Sequence, residues 1–187
     1  MKTVILASQS PRRKELLEKC GIPFQIDAAD IDETIDSSND LADEIKKLAE
    51  RKAQEVFKRH LDDIVIAADT IVTIDHEVLG KPKNDEDARR MLRRLSDRTH
   101  QVITGLCLMS AEKKYSVFSI SEVTFAKMDE KEIDAYIATG ETKDKAGAYA
   151  IQGYGSRYIT GIHGDFYSIM GLPVSLVYQQ FKHIEQY

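Results

Sequence analysis

The residues best suited to chemistry in this chain lie between Ile64 and Pro82. There a carboxylate, Asp69, follows the apolar run Ile-Val-Ile-Ala-Ala, and a lysine, Lys81, stands between Gly80 and Pro82. The run reads as a strand covered on both faces. An ionised carboxylate at the end of such a strand needs a cation, a metal or several donors, because desolvation otherwise neutralises it. Ligands of sheet-containing α/β proteins gather at the carboxyl ends of strands, which is where this pattern puts Asp69 and Thr70. The same stretch also reads as a turn aspartate followed by an ordinary Gly-Lys-Pro turn. Other segments must decide between the two.

Further charges stand where local rules disfavour them. Ser10 is a good N-cap and Pro11 a good first helical residue, so a helix is predicted straight after a strand over Thr3–Ala7, carrying Leu16 and Leu17 and stopping near Gly21. Its first-turn amides make an anion site, whereas Arg12 and Arg13 oppose the helix dipole. A local inconsistency of this kind marks functional positions, with two solvated arginines as the alternative. A second helix, capped by Asp40, has the stripe Leu41, Ile45, Leu48, Lys52 and Val56, so a lysine falls on its buried face. Either Lys52 snorkels to solvent or its ammonium meets a phosphate inside the fold. On a strand over Tyr115–Phe125, Glu122 shares parity with Phe118 and Ile120, which puts a carboxylate on an apolar face. Lys52 and Glu122 then fit a polar cleft, or one buried ion pair between them.

The remaining elements serve as scaffold. Residues 25–39 read as an acidic loop beyond one short strand near Gln25, and one of its carboxylates becomes a metal ligand if the loop folds over Asp69. Asn84 caps a helix with an inner face of Ala88, Met91, Leu92 and Leu95. A strand over Gln101–Met109 turns through 111–114 into the strand bearing Glu122. Asp129 and Glu132 form a capping box, and Gly140 closes that helix. Residues 144–153 interleave small residues with charges, which permits close backbone approach. Gly164-Asp165 reads as a turn, 168–172 as irregular, and Pro173 opens a last helix with Val174, Val177, Phe181 and Ile184 inside.

Composition narrows the classes. The 187 residues, 42% hydrophobic and 30% charged, suit one domain spanning 1–187. No window approaches the ~18 apolar residues of a membrane span, the N-terminal apolar patch is too short for a secretion signal, and cytoplasm is the default. A net charge of −5 argues against general nucleic-acid binding. Cys20 and Cys107 lie in no metal or redox spacing and read as buried apolar residues. Walker A, H-E-x-x-H and G-x-S-x-G patterns are absent.

Cationic Arg12, Arg13, Lys52 and Lys81, together with the carboxylates Asp69, Glu122 and Glu33, fit a metal-assisted reaction on a polyphosphate. Without a cysteine or serine nucleophile motif, the attacking group is water, and hydrolysis follows.

Six segments, in order, resemble the Maf family of nucleoside triphosphate pyrophosphatases: Leu-Ala-Ser-Gln-Ser-Pro-Arg-Arg-Lys-Glu-Leu-Leu (6–17), Ala-Asp-Thr-Ile-Val (68–72), Gly-Lys-Pro (80–82), Arg-Thr-His-Gln-Val-Ile-Thr-Gly (98–105), Asp-Lys-Ala-Gly-Ala-Tyr-Ala-Ile-Gln-Gly (144–153) and Gly-Asp-Phe-Tyr-Ser-Ile-Met-Gly-Leu-Pro (164–173). The resemblance implies an α/β fold like that of the inosine triphosphatases, with two lobes around a curved mixed sheet and a central cleft, and commonly a homodimer. Asp69 matches the family's catalytic proton acceptor, which activates water against the α-phosphate to give a monophosphate and pyrophosphate.

Arg12, Thr70 and Gln152 match base-specificity positions, in the combination of the subgroup acting on dTTP and UTP. The resemblance places Ser8, Arg13, Lys52 and Lys81 on the phosphates, and Glu33, Asp69 and Glu122 around a divalent cation, Mg²⁺ or Mn²⁺, with Asp144 nearby. Asp97 departs from the family, which has glycine there. The family's association with arrest of septum formation also admits a nucleotide-binding regulator that does not turn over, and a nucleotidyltransferase would use similar groups.

Overall fold

The computed structural model describes residues 2–185, so the terminal boundaries of the predicted 1–187 domain lie outside the described residues. Strands β1 (Val4–Leu6), β2 (Phe24–Ile26), β3 (Ile64–Ile74), β4 (Glu77–Leu79), β5 (Thr99–Met109), β6 (Lys114–Phe125) and β7 (Ile159–His163) form one mixed sheet. Its strand order is β2-β1-β3-β5-β6-β7, with β4 paired to β3. Helices α1 (Pro11–Glu18), α2 (Leu41–Phe57), α3 (Asp85–Leu95), α4 (Glu130–Ala138), α5 (Phe166–Met170) and α6 (Val174–Glu185) complete the α/β fold expected from the sequence. Two compact units result, the first of residues 1–69, 104–119 and 171–187 and the second of 70–103 and 120–170.

In the first unit β1 pairs in parallel with both neighbours, Val4 opposite Phe24 and Ile64, and Leu6 opposite Ile26 and Ile66. Parallel strands of this kind need crossover connections, which α1 and α2 supply. Both start on the predicted caps: the Ser10 hydroxyl accepts from the Arg13 amide at 3.4 Å, and the Asp40 carboxylate from the Asp43 amide at 3.0 Å. The apolar face of α2 buries Ala49, Ala53 and Val56 against Ile5, Ala7, Val65, Ala67, Cys107 and Met109. Gly105 on β5 lies flush beneath α2, where a Cβ would come within 3 Å of Ile45 backbone carbon and the Lys46 amide nitrogen.

In the second unit α3 and α4 start on Asn84 and on the Asp129/Glu132 capping box, as predicted. They are bridged by Arg89–Asp134 at 2.6 Å and Arg93–Glu130 at 2.8 Å. The core includes three edge-on rings, His100, Phe125 and Tyr149, with centroids 4.8–5.3 Å apart.

The structure corrects four local expectations. β3 does not stop before Asp69 but continues to Ile74, then turns through Asp75 and His76, at φ 51° and 63°, into β4. On β6 the inward parity is Ser121, Val123 and Phe125, so Phe118, Ile120 and Glu122 face solvent. Residues 166–170 are helical, because the Asp165 carboxylate caps the Tyr167 and Ser168 amides at 3.1 Å. Cys20 is only partly buried, whereas Cys107 is fully buried.

Candidate active site

Asp69 ends the first of the three segments that make up the first unit and lies inside β3. The α2 stripe carries Lys52 to it: the lysine is only 7% exposed, and its ammonium pairs with the Asp69 carboxylate. The same ammonium lies 2.7 Å from Glu33. A buried ammonium is expensive unless carboxylates compensate it, and here two converge on it. Lys52 therefore neither snorkels nor pairs with Glu122; it organises an aspartate from a strand and a glutamate from the acidic loop.

That loop is tied down by Arg51, the neighbour of Lys52 on α2. Its guanidinium donates to the carbonyls of Asp32 at 3.1 Å and Thr34 at 3.2 Å, one on each side of Glu33. Arg51 gives no signal in the sequence, because an exposed arginine on a charged helix face breaks no periodic pattern.

The β1–α1 turn supplies the next group. Ser8, 8% exposed, accepts at its hydroxyl from the Ser10 amide at 3.2 Å and from Arg13 Nη1 at 3.3 Å. Arg13 Nε donates to the Gly171 carbonyl at 2.9 Å. Enclosure lowers the Arg13 pKa from the ordinary arginine value, the Asp69 and Glu33 carboxylates oppose that change, and Arg12 adds to it. The predicted set Ser8, Arg12, Arg13, Glu33, Lys52 and Asp69 thus belongs to one unit, and Arg13 feels the charge of Asp69, Glu33 and Arg12. Fixed cations around a carboxylate suit a polyanion.

The other predicted positions belong to the second unit. Thr70 follows Asp69 on β3 and, like it, is partly buried. Lys81 and Gln152 are exposed, as are Glu122 and Asp144. The predicted burial of Glu122 is overturned. Gly147, at φ 69°, donates its amide to the Gly80 carbonyl at 3.1 Å and lies against Val72, where a Cβ would sit 2.9 Å from Cγ1. The small residues of 144–153 therefore serve close backbone packing next to Lys81.

Among the described residues no group of three or more His, Cys, Asp or Glu is placed to hold a metal by itself. Asp69 and Glu33 give two converging hard oxygen donors. This fits a divalent cation that takes one or two carboxylates and completes its shell with water and substrate phosphate.

Comparison with known proteins adds to this geometry. A family model described as Maf-like protein matches residues 3–184. The dTTP/UTP pyrophosphatase of Bacillus cytotoxicus is 48% identical over 185 residues, covering 99% of this chain and 97% of that protein. The dTTP/UTP pyrophosphatase of Bacillus cereus (strain ATCC 10987 / NRS 248) is 47% identical over 182 residues, covering 97% of this chain and 90% of that one. Among solved structures, the chain resembles a HAM1 protein from Coxiella burnetii, with a TM-score of 0.54, 17% identity and coverage of 98% of this chain and 100% of that one. The Staphylococcus aureus Ham1 protein matches with a TM-score of 0.52, 14% identity and the same coverage. These likenesses speak to the mixed α/β fold.

Proposed function

The chain belongs to the Maf family, and from that premise we propose that it is a nucleoside triphosphate pyrophosphatase hydrolysing dTTP and UTP to the nucleoside monophosphate and pyrophosphate. Its relatives carry that activity in their names. The observation that carries the reading is the buried Lys52 ammonium holding Asp69 and Glu33 together. Water attacks the α-phosphorus, the bond from that phosphorus to its bridging oxygen breaks, and pyrophosphate leaves with that oxygen. Asp69 accepts the water's proton. Lys52 and Arg13 hold phosphate oxygens, with Ser8 fixing Arg13 through its hydroxyl, and Lys81 is a further phosphate ligand by resemblance. Arg12, Thr70 and Gln152 select the base, for which a hydroxyl and a carboxamide that each donate and accept suit a pyrimidine edge.

The reading includes a divalent cation, Mg²⁺ or Mn²⁺, held by Asp69 and Glu33; the part assigned to Glu122 rests on the resemblance alone. When bound, such a cation neutralises charge on the phosphoryl oxygens. Dimerisation and a link to arrest of septum formation likewise follow from the resemblance, and a cytoplasmic location from the N-terminal apolar patch being too short for a secretion signal. No helix among the described residues is long and apolar enough to cross a membrane. A regulator that binds without turnover is disfavoured, since binding alone has no use for a proton acceptor beside fixed cations.

The test is a panel of nucleoside triphosphates with Mg²⁺ or Mn²⁺, assayed for pyrophosphate and monophosphate beside Asp69→Asn. Turnover of dTTP and UTP above the purines, lost in the variant, supports the reading. Binding without turnover in the unaltered protein would reverse it.

A further inference from the structure

Residues 150–155, which carry Gln152, are fastened to two side chains from elsewhere in the second unit. Glu141, just after Gly140 at the end of α4, accepts the Tyr154 amide on Oε1 at 2.8 Å. Its Oε2 accepts the Gly155 amide at 2.9 Å and the Tyr136 hydroxyl at 2.7 Å. That hydroxyl in turn accepts the Ala150 amide at 3.1 Å. Three backbone amides, two beyond Gln152 and one before it, thus end on one Tyr136–Glu141 pair.

The glycines fit the same design. A Cβ at Gly153 would overlap the Glu141 carboxylate, and one at Gly155 would come within 2.7 Å of both the Ala150 carbonyl and the Tyr136 hydroxyl. The loop has closed onto the pair so tightly that side chains are excluded on its inner side. Gln152, by contrast, is exposed and contributes none of these anchoring contacts. A charged acceptor serving three donors is a strong anchor, and it is spent on the one loop whose exposed glutamine has a chemical role.

We infer that Glu141, with Tyr136, is a positioning residue for base selection: it fixes the backbone on both sides of Gln152, so that the carboxamide meets the nucleobase in one orientation. This rests on the assignment of Gln152 to base reading given above. The Glu141 carboxylate is committed to the Tyr136 hydroxyl and the Tyr154 and Gly155 amides, and it acts through Gln152. In Glu141→Gln the side-chain NH₂ must face a backbone N–H, so at least one anchoring bond is lost while size is kept.

The experiment compares kcat/KM for UTP, dTTP and ATP in the unaltered protein, Glu141→Gln, Gln152→Ala and the double variant, together with amide hydrogen exchange at Tyr154 and Gly155. Losing a hydrogen bond to a charged group should reduce the pyrimidine-over-ATP ratio about tenfold. The double variant should lose no more selectivity than Gln152→Ala alone, and exchange at both amides should rise by about tenfold or more in Glu141→Gln. Tyr136→Phe, which deletes a single hydroxyl, gives a milder form of the same change should Glu141→Gln fold poorly. An equal loss for all three nucleotides, or an unchanged ratio in Glu141→Gln while Gln152→Ala lowers it, would overturn the inference. Unchanged selectivity in Gln152→Ala would instead remove Gln152 from base reading. Exchange then decides the anchor on its own: faster exchange retains it, and unaltered exchange overturns it too.

Discussion

Lys52 and Asp69 form a buried ion pair between the core stripe of a helix and the interior of a strand, and Glu33 closes on the same ammonium at 2.7 Å. The pair connects sequence pattern to chemistry. A lysine that breaks an apolar stripe needs carboxylates once the helix is packed, and the carboxylate it finds on β3 is the proposed proton acceptor.

Removing the ammonium leaves Asp69, whose side chain is 14% exposed, without its closest cation. Lys52→Met should lower the unfolding free energy by about 3 kcal/mol, read from urea denaturation, and reduce turnover roughly a hundredfold. Adding Asp69→Asn should restore much of the stability and none of the activity. Full stability in Lys52→Met would mean that the pair is solvated.

Gly105 allows β5 to pass directly under α2. In Gly105→Ala the new methyl meets Ile45 and Lys46 backbone, which cannot rotate away. A loss of about 2 kcal/mol is expected. Since α2 also carries Lys52, kcat measured well below the melting temperature should drop by roughly tenfold or more. A variant that melts lower with kcat unchanged would separate the packing of α2 from the site.

Asp97, where the family resemblance predicts glycine, has φ 59°, in the left-handed region. Its amide donates to the Ala126 carbonyl at 3.1 Å, so the strained conformation is held by the β5 approach and the chain after β6. Aspartate tolerates that region better than most residues. Asp97→Ala should cost about 1 kcal/mol, whereas Asp97→Gly should equal or exceed the parent in a thermal melt. Equal stability of the two variants would contradict the backbone account.

Much of this was legible in the sequence, for identifiable reasons. Caps at Ser10, Asp40, Asn84 and Asp129 are local hydrogen-bonding chemistry and appear where expected. Lys52 was visible as a break in a periodic stripe. Glu122 was misread because alternation reports two faces without saying which is inside; on β6 the inner face holds Ser121, Val123 and Phe125. The strand after Asp69 was missed because Asp-Thr reads as a turn, and β4 because Asp75-His76 lacks the glycine of a tight hairpin. Glu141 gave no signal, since its partners are backbone amides 13 and 14 residues away. Asp165 did give one: a carboxylate three residues before Ser168 is a helix start.

Burial of His100 adds a contribution to the pH dependence of stability. The residue is 2% exposed, Nε2 meets the Tyr149 hydroxyl at 2.7 Å, and Nδ1 has no hydrogen-bond partner among the described residues. Burial pushes its pKa down from 6.5 to about 4. Between those values the unfolded chain binds the proton and the folded one does not. The contribution of neutral, buried His100 to stability is therefore complete above about pH 6.5 and should be lost, by about 3 kcal/mol, as the pH falls to about 4. Denaturation at several pH values should give a shallower decline in His100→Gln. An identical slope would place the acid sensitivity elsewhere.

The most direct test of the central claim, water attack at the α-phosphorus assisted by Asp69, is hydrolysis of UTP in ¹⁸O-labelled water with mass analysis of both products. The account predicts the label in UMP and none in pyrophosphate, at a rate that collapses in Asp69→Asn. Label in pyrophosphate, or release of orthophosphate, would contradict it.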